Sequence, residues 1–192
     1  MYKSTNKPLA IILVTSAMIF ASPTASLSDY VNNVDGAKNL TRQELHGIYD
    51  GRSWMWNDGG GYFRVSKREF TAWVGREEKS SIAKGIWFLP GGGKACFNAI
   101  WTAVEWKVVK LTCFAHKTDG KHVYQRKLPD GDWYVFKHTP VRYSDEFGKL
   151  KQADLISLNY ARNYRYIKSR RLENSCRSKQ SFSEFLTCIF KR

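Results

Sequence analysis

The chain has 192 residues, a formal net charge of +14 and an ordinary apolar share of 43%. That length carries one domain with extensions, and that apolar content excludes a globally disordered chain. Aromatic residues reach 15% and, spread through short segments, favour strands over helices; the charge favours an acidic partner (anionic glycan, lipid head groups, nucleic acid or an acidic protein) beside plain solubility.

Residues 1–25 read as a secretory signal: Lys3 and Lys7 open it, an apolar run covers 9–21, and small residues close it. The run is shorter than the roughly 20 residues that span a bilayer. Cleavage after Ala25 competes with cleavage after Ser26, and no cysteine follows the run to carry a lipoprotein anchor. Export turns the four cysteines, Cys96, Cys113, Cys176 and Cys188, into expected disulfides. Pairing between sequence neighbours is preferred among the three possible connectivities. No C-x-x-C and no nearby histidine spacing supports zinc.

Residues 26–39 form a polar, flexible lead-in, and a barrel domain is expected over 40–140. Thr41 and Glu44 have the spacing of a capping box that starts a short helix, with Leu45, Ile48 and Tyr49 on one side. Eight short β-like segments follow, over 53–56, 61–65, 69–74, 81–89, 94–103, 107–115, 121–127 and 132–138, separated by turn residues. Nothing between them suits the helical crossovers of a parallel sheet. The expected fold is mainly β: a small antiparallel up-and-down barrel, lipocalin-like, with a short N-terminal helix and a basic, partly helical C-terminal tail.

Two hairpins can be put in register. Opposing Cys96 to Cys113 places Ile100 opposite Val109 and Asn98 opposite Leu111, around a tight loop at 103–106. Phe97, Trp101, Val108 and Phe114 then share the other face. In the second hairpin, Leu128-Pro129-Asp130-Gly131-Asp132 suggests a three-residue loop. That loop opposes His122 to His138, Tyr124 to Phe136 and Arg126 to Tyr134, all on one face, which makes these six the candidate binding face.

Residues 141–192 are read as a connector and a basic extension. Tyr160, Tyr164 and Ile167 fall at helical spacing, with Arg162, Arg165 and Lys168 facing elsewhere and Arg170 and Arg171 following. A second capping-box form at Ser181 to Glu184 precedes an apolar stripe of Phe182, Phe185, Leu186, Ile189 and Phe190. A terminal helix docked on the barrel and stapled by Cys176–Cys188 is expected; a basic amphipathic element touching a membrane or acidic glycan is the alternative.

Catalytic chemistry finds little support. His122 and His138 supply half a zinc shell, and His116 joins them only if the turn at Asp119-Gly120 has three residues. No nucleophile-and-base pattern and no placed carboxylate pair stands out. Neither metal nor cofactor is expected. Export argues against nucleic acid, although aromatic and basic residues alternate around Tyr124 and Trp133.

Several words of the sequence taken together resemble a family of exported proteins, mostly from alphaproteobacteria, catalogued as domain of unknown function nine-ninety-five. They are Leu40-Thr41, Glu44-Leu45, Trp54-Met55-Trp56, Gly59-Gly60-Gly61-Tyr62-Phe63, Phe70-Thr71-Ala72-Trp73, Gly85-Ile86-Trp87, Cys96-Phe97, Thr112-Cys113-Phe114, Tyr124-Gln125-Arg126, Pro129 through Phe136, and Asp145-Glu146-Phe147. The resemblance spans Leu40 to Leu158, and the tail from Tyr160 departs from it. It implies export and a β-rich domain, and it carries no reaction and no site residues. The resulting expectation is a non-enzymatic envelope protein, periplasmic or at the cell surface, that binds an anionic polysaccharide or lipid head group. An interaction or inhibitor barrel acting on an envelope enzyme is the second reading, and an enzyme using His122 and His138 the third.

Overall fold

The structure is a computed structural model, and it describes residues 31, 34–177, 181, 183, 187 and 188. The expected signal segment and most of the second capping box with its apolar stripe lie outside the described residues.

The first elements are β1 (Lys38–Asn39) and α1 (Arg42–Tyr49). Thr41 caps α1 as expected: its hydroxyl accepts the Glu44 N–H at 3.2 Å, and the Glu44 carboxylate accepts the Thr41 N–H at 2.7 Å. Each satisfies a donor that the first helical turn leaves open. Strands β2 (Ser53–Met55), β3 (Gly59–Phe63), β4 (Glu69–Val74), β5 (Ser81–Gly91), β6 (Lys94–Thr102), β7 (Lys107–Thr118), β8 (Val123–Lys127) and β9 (Tyr134–Lys137) then run up and down, each antiparallel to the next. The two-residue β10 (Leu150–Lys151) pairs with β2, and α2 (Ser157–Arg177) follows it. All eight predicted β segments are strands. The sheet is mainly antiparallel and curls into a half-barrel.

Three features were not expected. The lead-in is tied to the sheet, because β1 pairs with the end of β7 and Val34 is buried. The strand after the first turn begins at Gly59, two residues early. There the Trp56 N–H bonds the Gly59 carbonyl, and a side chain at Gly59 would strike the Trp73 carbonyl at 2.2 Å. The third is the seam: no ladder joins β9 to β10 among the described residues. A single 3-10 turn (Glu146–Lys149) fills that gap. Within it, Phe147 packs edge-on to Phe136 at 5.9 Å, and the Glu146 carboxylate accepts the Trp54 indole N–H at 2.7 Å.

The inner face of the sheet holds the main core, with Phe63, Phe70, Trp87, Phe97 and Phe136 among its buried members. Leu45, Ile48 and Tyr49 of α1 enter that core beside Phe63 and His116, so α1 closes one end of the half-barrel. The helix is too short to be stable alone and depends on this contact. On the outer face α2 lies across β4 and β5, and Ile156 and Ile167 pack there with Trp73 and Ile82. Gly60 allows that approach, since a Cβ there would stand 2.7 Å from Ile156 Cδ1 and 2.9 Å from the Trp54 carbonyl.

Candidate binding groove

The first hairpin forms in the expected register. Cys96 opposes and bonds Cys113, Ile100 opposes Val109, and Asn98 opposes Leu111. The Ala103 N–H closes the loop onto the Trp106 carbonyl. The second expected disulfide, Cys176–Cys188, is also present, anchored at the end of α2 by a fully buried Cys176.

The second hairpin keeps the expected register only at its open end, where Val123 opposes Lys137, and slips by one residue toward the turn. Tyr124 opposes Val135 and Gln125 opposes Tyr134, with a shift between Val123 and Tyr124. A one-residue slip exchanges the faces of a strand. Tyr134 and Phe136 therefore face the core, while Tyr124 lies on the other side of the sheet, so the six proposed face residues are divided. The physical reason is twofold. Residues 128–133 form a longer connection than a three-residue loop, with the Leu128 N–H returned to the Cys113 carbonyl. Gln125 is also required inside.

There Gln125 completes a buried polar cluster. Its Nε2 donates to the Tyr49 hydroxyl at 2.9 Å and lies 2.7 Å from His116 Nε2, and its Oε1 accepts the Tyr134 hydroxyl. The Tyr49 hydroxyl is 2.9 Å from His116 Nε2, and His116 Nδ1 lies 3.2 Å from the Gly93 carbonyl. That arrangement assigns the ring proton to Nδ1, because only a donor suits a carbonyl. Burial pushes the His116 pKa down to about 4, so the ring is neutral at physiological pH. His116, Gln125 and Tyr49 are closed off from water, which makes the cluster part of the scaffold.

His122 and His138 do come together, with ring centroids 5.2 Å apart. His122 sits in the turn before β8, where its N–H donates to Asp119 Oδ1 at 2.6 Å. That contact, the Tyr124 hydroxyl and the Lys121 N–H hold the Asp119 carboxyl at about 2, and the bond to Asp119 raises the Tyr124 phenol to about 12. His138 Nδ1 is 2.6 Å from Asp145 Oδ1, and the main-chain N–H groups of His138 and Arg142 donate to Oδ2. Burial opposes ionisation of Asp145, but the His138 ring and these N–H groups outweigh it and lower its pKa. The Asp145 carboxylate thus fastens the connector to the end of β9. Arg126 stacks over Trp133 at 5.0 Å. Among the described residues no three His, Cys, Asp or Glu side chains gather as a metal shell.

A depression lies elsewhere, between α2 and the outer face of β5 and β6. It has a volume of about 430 Å³. Its apolar wall combines Ile82, Ile100, Ile167, Tyr160 and Tyr164, the two tyrosine rings stacked with 10° between their planes. Lys84, Lys107, Lys168 and Arg171 add four cations. Lys84 pairs with Glu69 at 3.5 Å, and Arg171 donates to the Ala103 and Trp106 carbonyls. Lys107 and Lys168 have no carboxylate partner among the described residues. The expected helical spacing of Tyr160, Tyr164 and Ile167 is met and Arg162 and Arg165 are exposed, but Lys168, expected to face elsewhere, follows Tyr164 by one turn and stands at the groove with Arg171. Arg170 is bonded to Glu173. The strand residues of the groove were not singled out from the sequence. The signal that locates them is the first hairpin's register, which puts the apolar Ile100 on the face opposite the core.

A second depression, of about 340 Å³, opens on the inner face at the end of the half-barrel away from α1. Trp56, Trp101 and Trp106 line it with Val108, Lys110 and Thr112.

The architecture is that of a disulfide-clamped antiparallel half-barrel with a basic helix on its convex face. The chain belongs to the family described as "Protein of unknown function (DUF995)", whose model matches residues 11–156. No curated protein and no solved structure matches it. The match stops just before α2, so the helical wall of the groove is outside the matched span.

Proposed function

We propose that this protein is a non-enzymatic, extracytoplasmic binding module, in the periplasm or at the cell surface, for an anionic envelope lipid. The observation that carries this reading is the groove between α2 and the sheet: an apolar floor next to Lys107 and Lys168, two cations without carboxylate partners among the described residues. The isoleucines of the floor suit the first acyl-chain segment of a lipid and the neighbouring lysines its anionic head group, a pairing that a polysaccharide, rich in hydroxyls, matches less well. The exposed Arg162 and Arg165 on α2 extend the positive surface toward an anionic bilayer and support peripheral contact there. Two disulfides suit an oxidising compartment, and the basic N-terminal start with its apolar run supports export.

Vesicle flotation tests the reading. Phosphatidylglycerol vesicles should carry the protein upward and phosphatidylcholine vesicles should not, and the Lys107→Glu, Lys168→Glu variant should lose flotation. Equal flotation with both lipids, or a variant that floats like the parent, would overturn it.

A further inference from the structure

The first half of β7 is an unfinished edge. β6 pairs with β7 from Lys107 to Ala115, whereas β8 pairs with it only from Phe114 onward. Main-chain groups of successive residues in an antiparallel strand point alternately to the two sides. The Cys113 carbonyl is directed to the β8 side, where it accepts the Leu128 N–H, while the His116 N–H is directed to the other side, onto the Gly93 carbonyl. By that alternation the N–H and C=O groups of Val109 and Leu111 face away from β6. No partner reaches them among the described residues. The side chains are exposed on both faces as well: Val109 is 66% exposed, Leu111 59% and Val108 50%.

An open apolar edge invites pairing and is ordinarily shortened, charged or covered. Here it borders a built pocket. Val108, Lys110 and Thr112 point to the inner face, where they line the depression made by Trp56, Trp101 and Trp106. The geometry points to a β-augmentation site: an extended, carboxylate-bearing peptide segment of a partner protein adds as a strand along 107–112. Alternate side chains of that strand enter the tryptophan pocket, and the others lie over Val109 and Leu111. Charge selects the occupant. Lys107 and Lys110 flank the edge on opposite faces, and the whole chain carries +14, so a second copy would bring like charge to the same edge. This inference does not require lipid binding, although Lys107 also lines the groove on the convex face.

The test selects ten-residue peptides from a random library on the purified protein, then measures amide hydrogen exchange with a selected peptide bound. Enriched peptides should carry carboxylates alternating with apolar or aromatic residues, and should slow exchange at Val109 and Leu111. The informative variant is Val109→Pro, which removes an N–H from the open edge and none from the β6 ladder. It should bind the selected peptide at least tenfold more weakly while its near-ultraviolet circular dichroism and its flotation with lipid stay unchanged. Lys110→Glu should weaken binding in the same direction. Four results would overturn the inference: basic or uncharged consensus peptides; equal binding by Val109→Pro; edge amides already protected in the free protein; or a homodimer that Val109→Pro dissociates.

Discussion

Gln125 reaches Tyr49 across the interior, its Nε2 donating to the tyrosine hydroxyl at 2.9 Å, and this contact between β8 and α1 ties the last hairpin to the helix that closes one end of the half-barrel. The same glutamine accepts from Tyr134, so one side chain joins three elements. Replacing it by leucine keeps the volume but removes the acceptor that Gln125 offers the Tyr134 hydroxyl and the donor it offers Tyr49. A Gln125→Leu variant should lose about 1–3 kcal/mol, the cost of leaving buried polar groups unmatched. Urea unfolding with an unchanged slope would read this directly.

The neutral His116 at the centre of that cluster makes stability depend on pH. Its folded pKa of about 4 lies below the unfolded value near 6.5. The unfolded chain therefore binds the proton first. Stability from this group is complete above pH 6.5 and is lost as pH falls from there toward 4, by an amount on the order of 3 kcal/mol. The lowered Asp145 pKa acts in the same direction at still lower pH, because protonation removes the anion held by His138 and Arg142. Urea midpoints should fall steadily between pH 6.5 and 4, and in a His116→Gln variant the slope over that window should flatten.

Cys96–Cys113 clamps β6 to β7 over a sequence separation of 17. In the chain-entropy model a link of that span stabilises by roughly 3 kcal/mol. The double variant Cys96→Ala, Cys113→Ala should lose most of that in denaturant unfolding. It should keep its far-ultraviolet spectrum, since the hairpin's ladder runs well to either side of the link.

Gly60 lets Ile156 seat α2 against the sheet. The added methyl of Gly60→Ala meets Ile156 Cδ1 and the Trp54 carbonyl below 3.0 Å, and the carbonyl belongs to the backbone of a paired strand. Overpacking of this kind costs about 1–3 kcal/mol. The variant should also raise protease sensitivity within α2, which a scaffold defect elsewhere would not do selectively.

Much of the fold was legible in the residues, and the exceptions share a cause. The first hairpin could be put in register because two long apolar strands flank a short loop and two cysteines mark opposed positions. The second could not, because its register depends on Gln125 bonding to Tyr49 and His116, which lie 76 and 9 residues away in the chain. A polar residue in a strand reads as solvent-facing until its distant partners are known. The spacing of Tyr160, Tyr164 and Ile167 announced a helix face. Nothing local said that Ile82 and Ile100 would lie beneath it, so half of the groove was out of reach. The edge at Val109 and Leu111 was equally hidden: a strand apolar on both faces reads as buried, and only the short β8 leaves this one open.

The most direct test of the central claim is calorimetric titration of the protein with dihexanoylphosphatidylglycerol below its micelle concentration. The account predicts saturable one-to-one binding that weakens at least tenfold in the Lys107→Glu, Lys168→Glu variant and is absent with dihexanoylphosphatidylcholine. Equal affinity for the two lipids, or a variant that binds as the parent does, would contradict it.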